Sequence, residues 1–253
     1  MTTLGVRDEA ARHGVIEAVP RTTAGFPVGI IAIRLDYPKM PGNVVNAQTF
    51  GFPVLYEEVV FEIEQLFEGD PALADAVIAA AGKLEARGAR AIVGACGFFA
   101  HFQQQVAAAV DVPVFLSSLV QVPLVELALK PGQKILVFAA DGDSVDDELL
   151  SQVGASGDRL IVQNLGDREA FAPIRHGRTV LDNGALIADL EKLACAQIEA
   201  HPEIGAILLE CSDLPPYAAD LQEATGLPVF DFITLINWVH QAVAQPRYYG
   251  DVC

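Results

Sequence analysis

Short runs of apolar residues alternate with longer segments whose apolar positions recur at helical spacing along most of this chain. The short runs are continuous rather than alternating, which is typical of parallel strands that are buried on both faces. Strands are predicted at residues 26–35, 54–60, 90–95, 112–116, 134–140, 159–165, 206–211 and 228–232. Strands that alternate with helices indicate an α/β protein built on parallel sheets.

The helices between these strands carry recognisable end signals. Asp70 and Pro71 predict a helix start. An Asp side chain caps the free N–H groups of the first turn, and Pro fits that turn because its missing N–H would have no partner within the helix. Gly88 predicts its end. Further helices are predicted at residues 98–110, 120–129, 144–153, 183–200, 215–225 and 233–244. Three segments lack clear periodicity. Residues 1–25 are predicted to form an arm or a lead-in helix, and residues 166–181 a charged loop. Residues 36–53 form a long loop, of a length that is often functional.

Two of these segments repeat each other around a cysteine. An apolar run from Ala91 ends in Cys96, and another from Ala206 ends in Cys211. Seventeen residues after each cysteine comes the same tripeptide, Pro113-Val114-Phe115 in one copy and Pro228-Val229-Phe230 in the other. The strand–cysteine–helix–strand unit therefore occurs twice. We expect two related halves that place a thiol on either wall of one cleft.

The duplicated unit predicts the domain organisation. We expect two pseudo-symmetric, doubly wound parallel-sheet domains of flavodoxin- or Rossmann-like type, with the active site in the cleft between them. The first domain is predicted to span residues 25–119 plus about 229–253 and to carry Cys96. The second is predicted at residues 120–228 and carries Cys211. The closing strand and helix fit either the second domain or a return to the first.

Composition narrows the classes of function. The chain has 253 residues, of which 52% are hydrophobic, so it can form a large core. No stretch approaches the ~20 apolar residues of a membrane span, and the charged N-terminus is unlike a signal peptide, so we expect a cytoplasmic protein without a membrane partner. The net charge of −17 argues against nucleic acid. A homodimer is the default expectation for an enzyme of this size.

The four cysteines have none of the spacings of a zinc site or a redox pair, so no metal is predicted. Cys195 falls in a helical pattern and is predicted to be a core residue. Cys96 and Cys211 end strands and precede helices, where ligands of parallel sheets bind and where the helix dipole favours a thiolate. They are therefore predicted to be catalytic. The alternative is that both are buried core thiols.

Other residues near these strand ends are candidates for binding a small, carboxylate-bearing substrate. The N–H groups after the cysteines can hold an anion, and a cation at the end of the first strand can pair with it. The candidates are Arg34, Asn46, Gly97, Phe98, Ser117, Ser118, Ser212 and Asp213, with Lys39 as a second cation. Structural alternatives are a surface ion pair for Arg34, core packing for Phe98, and helix caps for Ser117, Ser118 and Asp213.

The two cysteine motifs and one loop resemble the aspartate/glutamate/hydantoin racemase superfamily over residues 25–243. They are Gly94-Ala95-Cys96-Gly97-Phe98-Phe99, Glu210-Cys211-Ser212-Asp213-Leu214-Pro215 and Pro41-Gly42-Asn43-Val44-Val45-Asn46. The resemblance implies a racemase or epimerase that needs no cofactor, pyridoxal phosphate included. One cysteine thiolate would remove the proton next to a carboxylate or amide, and the other thiol would protonate the opposite face.

The first motif departs from that pattern. Glutamate and aspartate racemases have Asn and Thr after the first cysteine, where this chain has Gly97 and Phe98. The departure favours a different or bulkier substrate. The superfamily also includes hydantoin racemases, arylmalonate decarboxylases and maleate isomerases, some of which use one cysteine only. A lyase or isomerase of that kind, and a binding module without catalysis, are the alternatives.

Overall fold

The computed structural model describes residues 21–248 and residue 251. Residues 1–20 of the predicted arm, and Cys253, the last of the four cysteines, lie outside the described residues. The strands are β1 (Val28–Ile33), β2 (Val54–Val59), β3 (Ala91–Gly94), β4 (Val114–Phe115), β5 (Lys134–Ala139), β6 (Leu160–Asn164), β7 (Ile204–Leu209) and β8 (Val229–Phe230). Every predicted strand is present, and most are shorter than predicted because only their paired centres belong to a sheet.

Helices follow most of the strands. They are α1 (Ile63–Phe67), α2 (Ala74–Ala86), α3 (Gln103–Ala109), α4 (Val122–Ala128), α5 (Asp147–Gln152), α6 (Ala172–Arg175), α7 (Asn183–Ala200), α8 (Ala218–Thr225) and α9 (Phe232–Val243). Several begin with a 3-10 turn, at Pro71–Leu73, Gly97–Phe102, Ser118–Gln121 and Pro215–Tyr217. The sequence pattern missed α1 and α6, since helices of about one turn are too short to show a period.

The strands form two four-stranded parallel sheets with the same order. The first runs β2-β1-β3-β4 and the second β6-β5-β7-β8. All six strand pairs are parallel. The predicted fold class, two doubly wound α/β units related by a repeat, is therefore confirmed. Because the strand order is the same, β3 and β7, which lead to the two cysteines, occupy equivalent positions in their sheets.

The two halves exchange their last helices. After β4, α4 packs against β5 of the second sheet, whereas α9 packs against β1 and β3 of the first sheet. Strand β8 pairs with β7 and stays in the second sheet. The return to the first half thus occurs after β8. The domain boundaries at residues 119–120 and 228–229 remain predictions. Strand β8 belongs to the second sheet, and helix α9 packs on the first.

The core is continuous across the two halves. Buried residues of both sheets, such as Ile31, Ile92, Ile135 and Leu208, belong to one cluster. Cys195 is exposed, so its predicted core position is wrong: it lies on the outer side of α7, next to buried Ala194. In the described part of the chain, no helix has the length and apolar character needed to cross a membrane.

Candidate active site

Cys96 and Cys211 line one pocket between the two sheets. Each lies two residues beyond its strand, β3 or β7, and is buried, with 9% and 6% of its surface exposed. The cavity has a volume of about 40 Å³, which suits a small ligand. Its walls are mainly apolar, with seven polar or ionisable side chains besides. They are Tyr37, Lys39, Arg175, Ser212, Asp213, Cys96 and Cys211.

The long loop after β1 covers this pocket. It crosses from the first half to the second cysteine turn, where Val44 donates its N–H to the Ser212 carbonyl at 3.3 Å. The Ser212 hydroxyl in turn donates to the Ala95 carbonyl at 2.8 Å, which joins the two cysteine turns directly. The functional role predicted for this loop from its length thus agrees with its position, and Ser212 is placed at the site as expected.

Asp213 organises the polar side of the pocket. The Cys211 thiol donates to Asp213 Oδ2 at 3.5 Å. The Tyr37 hydroxyl and the Asn43 side-chain amide both donate to Asp213 Oδ1. Burial, with the negative charge of Asp213, raises the pKa of Tyr37 well above its usual value, so the phenol stays protonated and keeps donating. Asp213 is therefore a fixed acceptor for the thiol proton.

Both thiols are held in their protonated form near neutral pH. Burial is the main reason that the pKa values of Cys96 and Cys211 lie well above normal, and the carboxyl groups of Glu210 and Asp213 raise them further. The N–H groups of Phe98 and Asp213 face the sulfurs and act in the opposite direction. The sequence-based expectation of a lowered thiol pKa is wrong, because desolvation outweighs the N–H groups of the turn.

Two cations approach the pocket from opposite halves. Lys39 Nζ lies 2.9 Å from the centre of the Tyr37 ring, and burial lowers the pKa of Lys39 to about 8. Arg175 ends α6, and its guanidinium lies 4.5 Å from the centre of the Phe67 ring. The side chain of Arg175 is only 13% exposed and pairs with Glu64 at 3.0 Å. A carboxylate in the pocket would meet positive charge on either side.

Several predicted binding residues lie outside the pocket lining. Arg34 is exposed and pairs with Glu58 at 3.0 Å, the surface ion pair named as its structural alternative, so its assignment to the substrate remains a prediction. Asn46 caps the Ala47–Thr49 turn, and its amide donates to the Lys39 carbonyl at 3.0 Å. It therefore supports the loop that carries Lys39 rather than lining the cavity.

Four more predicted residues, Gly97, Phe98, Ser117 and Ser118, also lie outside the pocket lining. Ser117 caps the turn at Ser118–Gln121, and the Ser118 hydroxyl donates to the Leu209 carbonyl at 2.9 Å. Phe98 is fully buried and packs on Phe67 with ring centres 4.4 Å apart. Gly97 faces Glu210 instead of the cavity. In the structure these four residues pack and cap, and their assignments to the substrate remain predictions.

Sequence reasoning missed Tyr37 and Asn43 as partners of Asp213, and it placed Arg175 within the charged loop at residues 166–181. The signal for the first two was the long loop itself. The signal for Arg175 was the apolar sequence Phe171-Ala172-Pro173-Ile174 inside an otherwise charged segment, because such a run indicates burial. Within residues 21–248 and 251, no cluster of three or more His, Cys, Asp or Glu side chains is arranged to hold a metal ion.

Curated proteins that resemble the chain are lyases. The chain is 33% identical to dimethylsulfoniopropionate lyase 3 of Emiliania huxleyi (strain CCMP1516) over 87% of this chain and 61% of the relative. It is 32% identical to the dimethylsulfoniopropionate lyase of Durusdinium sp. clade D, over 87% of this chain and 76% of the relative. The chain thus spans about three fifths of the length of the first protein. No model of a known protein family matches the chain.

Solved structures with the same fold include racemases and a decarboxylase. Allantoin racemase from Pseudomonas fluorescens superposes with a TM-score of 0.56 at 15% identity, over 89% of this chain and 100% of that one. Aspartate racemase from Picrophilus torridus also gives 0.56 at 15% identity, covering 89% and 96%. A mutant of arylmalonate decarboxylase gives 0.54 at 20% identity, covering 86% and 92%. These likenesses confirm the fold of the Asp/Glu racemase superfamily.

The predicted activity needs correction. The expectation of an isomerase, a racemase or epimerase with a pair of opposed cysteines, is wrong, because relatives at 32–34% identity are lyases. The racemase likeness is limited to the fold. The alternative, a lyase on the racemase fold, agrees better with these relatives. The chain belongs to the family of dimethylsulfoniopropionate lyases.

Proposed function

We propose that the protein is a carbon–sulfur lyase that acts on dimethylsulfoniopropionate or a closely similar small sulfonium carboxylate. The observation that carries the proposal is the 32% identity to a lyase of this specificity over 76% of its length. The pocket supports it. Two thiols, the carboxylate of Asp213 and two cations converge on one cavity.

The proposed reaction is a β-elimination. A base removes a proton from the carbon next to the carboxylate, the electron pair forms the double bond, and the bond from the β-carbon to the sulfonium sulfur breaks. The products are acrylate and dimethyl sulfide. The leaving group departs as a neutral thioether and takes no proton, so the reaction needs one base and no general acid. A pair of opposed cysteines is therefore not required.

Cys211 is the proposed base. Its thiol already donates to Asp213 Oδ2 at 3.5 Å, so the thiol proton has an acceptor that Tyr37 and Asn43 hold in place. The Asp213 N–H faces the sulfur and favours the thiolate. Cys96 lies on the opposite wall, and no comparable side-chain acceptor is recorded for its thiol in the described part of the chain. Cys96 is proposed to shape the pocket.

Charge complementarity supports a substrate that carries both signs. Arg175 keeps N–H donors beyond its bond to Glu64, since a guanidinium carries five, and these suit a carboxylate. The ring of Phe171 also lines the cavity, and aromatic faces attract a cation that has no hydrogen to donate. A bound sulfonium also brings positive charge to the buried thiol and favours its ionisation.

The test is an assay of dimethyl sulfide by headspace gas chromatography, with acrylate followed by proton NMR. The wild-type protein is expected to release both products in equal amounts with no added cofactor. Cys211→Ser should lower kcat by about a hundredfold to ten-thousandfold, the usual contribution of a general base. Cys96→Ser is the matched control in the repeat. Its kcat should fall about tenfold or less, because the substitution removes a contact in the pocket and leaves the proton transfer intact.

Two results would count against the proposal. A wild-type protein that releases no thioether from a panel of sulfonium carboxylates would reject the substrate class. A Cys211→Ser variant as active as Cys96→Ser, with both folded by circular dichroism, would reject Cys211 as the base.

A further inference from the structure

A wholly buried carboxyl group lies between the two cysteine turns, and the proposed elimination does not use it. Glu210 immediately precedes Cys211 and is 0% exposed. Its N–H donates to the Phe138 carbonyl at 2.9 Å, and its Oε2 accepts the Ala140 N–H at 3.1 Å. No hydrogen-bond partner is present for Oε1 among the described residues. An unpaired buried oxygen is costly to maintain, so a role for it is expected.

Gly97, the residue after Cys96, lies directly against this carboxyl group. A Cβ atom at position 97 would lie 2.6 Å from Glu210 Cγ and closer still to the carboxyl oxygen. Only glycine leaves that space free. The side chain of Glu210 therefore packs directly against the turn that follows Cys96 while its backbone adjoins Cys211. Gly97 and Glu210 together set how far apart the two turns lie.

The charge on Glu210 is coupled to both sulfurs. Burial raises its pKa to about 8, the nearby carboxylates of Asp141 and Asp213 contribute in the same direction, and the Ala140 N–H opposes them. Glu210 is thus mostly uncharged at pH 7. When it ionises, its charge raises the pKa of both Cys96 and Cys211. The other charged groups that face the thiols are Asp213, Arg175 near Cys96 and Lys39 near Cys211.

We propose that Glu210 is a positioning residue, a neutral carboxyl that spaces the two cysteine turns and, once ionised in mildly alkaline solution, holds both thiols in their protonated form. Its effect on turnover rests on the proposed lyase function, whereas its effect on the thiols does not. Activity that depends on a thiolate base increases as the pH rises. The ionised Glu210 would reduce this increase, because it raises the pKa of the thiols.

The test compares the wild-type protein with Glu210→Gln, which matches the protonated carboxyl in shape. Iodoacetamide labelling of Cys96 and Cys211 is followed peptide by peptide by mass spectrometry from pH 6.5 to 9.5, with the exposed Cys195 as internal reference. At pH 6.5 the variants should label equally. At pH 9 both pocket cysteines should label roughly tenfold faster in Glu210→Gln, the change expected for one unit of thiol pKa.

A second pair of variants tests the spacing. Gly97→Ala should lose thermal stability, and the Gly97→Ala/Glu210→Ala double variant should recover most of the loss, because the clash is with Glu210 alone among the nearest atoms. The double variant also lacks the carboxylate and should show the faster labelling at pH 9, so it replaces Glu210→Gln if that protein does not fold.

Equal labelling rates at pH 9 in the wild type and a folded carboxylate-free variant would overturn the proposal. If labelling shifts as expected but no sulfonium substrate is cleaved, the assignment of Glu210 stands and the lyase function fails. If cleavage occurs and labelling does not shift, the lyase function stands and the assignment of Glu210 fails.

Discussion

At the scale of single residues, the chemistry depends on what sets the protonation of two buried thiols. Removal from water opposes the thiolate more strongly than the N–H groups of Phe98 and Asp213 favour it. A resting thiol is also less open to oxidation and alkylation than a thiolate. The positive charge needed for catalysis would then arrive with the substrate, so that the base forms only when there is a proton to remove.

This arrangement predicts two different pH profiles. Both kcat and kcat/KM should rise with pH as the thiolate forms, since the thiol pKa is raised in the free protein. The midpoint for kcat should lie about one unit lower than that for kcat/KM, because kcat reports the complex that holds the sulfonium. Initial rates from pH 6 to 10 measure both. Coincident midpoints would mean that the substrate charge does not assist the thiol.

Arg175 provides a second prediction at this scale. Arg175→Met should raise KM about 10–100-fold with a smaller change in kcat, which corresponds to the loss of ~1.5–3 kcal/mol for hydrogen bonds to a charged group. Arg178→Met is the matched control, because Arg178 is in the same segment and its side chain is 54% exposed. Saturation kinetics with dimethylsulfoniopropionate give the comparison. Equal KM values in the two variants would remove Arg175 from the site.

Among the secondary-structure elements and loops, the loop between β1 and β2 connects the two halves at the pocket. It carries Tyr37, Lys39 and Asn43 to the pocket and bonds to the second cysteine turn through Val44. Loops held by a rigid scaffold often carry binding residues. Its tightest point is Gly42, where φ is +102° and a Cβ atom would lie 2.9 Å from Pro216 Cα.

Gly42→Ala should therefore displace the loop from the second half. The expected cost is about 1–3 kcal/mol for the strained backbone conformation, together with a clear loss of activity because Asn43 and Tyr37 shift. Gly51→Ala, in the same loop, is the control, since a Cβ atom there meets nothing within 4 Å. Urea unfolding and product release are measured on both. A fully active Gly42→Ala variant would show that the loop tolerates the displacement.

At the scale of the whole molecule, the exchange of helices ties the two halves into one structure. Phe232 of α9 is fully buried and shares a cluster with Val28, Ile30 and Val93 of the first sheet, although α9 directly follows β8 of the second. A relative movement of the halves would thus disturb cores on both sides. The predicted homodimer remains untested, and size-exclusion chromatography with light scattering would decide it.

Phe232→Ala should lower the free energy of unfolding by about 3–5 kcal/mol, as expected when a buried aromatic ring is removed. Because the helix joins both halves, unfolding should remain a single transition. Trp238→Ala is the control in the same helix: Trp238 is 54% exposed and touches Phe115 at the edge only. Circular dichroism during urea unfolding reports the transitions, since Trp238→Ala removes the chain's one tryptophan. Two separated transitions for Phe232→Ala would indicate that the halves unfold independently.

The sequence alone determined the fold class and the positions of both cysteines. Parallel strands buried on both faces leave a strong local pattern of continuous apolar residues, and the repeat around Cys96 and Cys211 makes the two strand ends equivalent. Helix ends were predictable where capping residues such as Asp70 mark them. All of these signals lie within a few residues of the structure that they specify, which is why a single sequence reveals them.

Only the tertiary structure decided what surrounds the thiols. The contacts of Asp213 with Tyr37 and Asn43 join residues 176 and 170 positions apart, and no local pattern encodes such a contact. The direction of the thiol pKa depends on burial among side chains from both halves, so a rule for helix starts gave the wrong sign. Arg175 lines the pocket and Arg34 forms a surface ion pair for the same reason. The direction of the chain at the end of an element is set by packing, and it decides where a long side chain reaches.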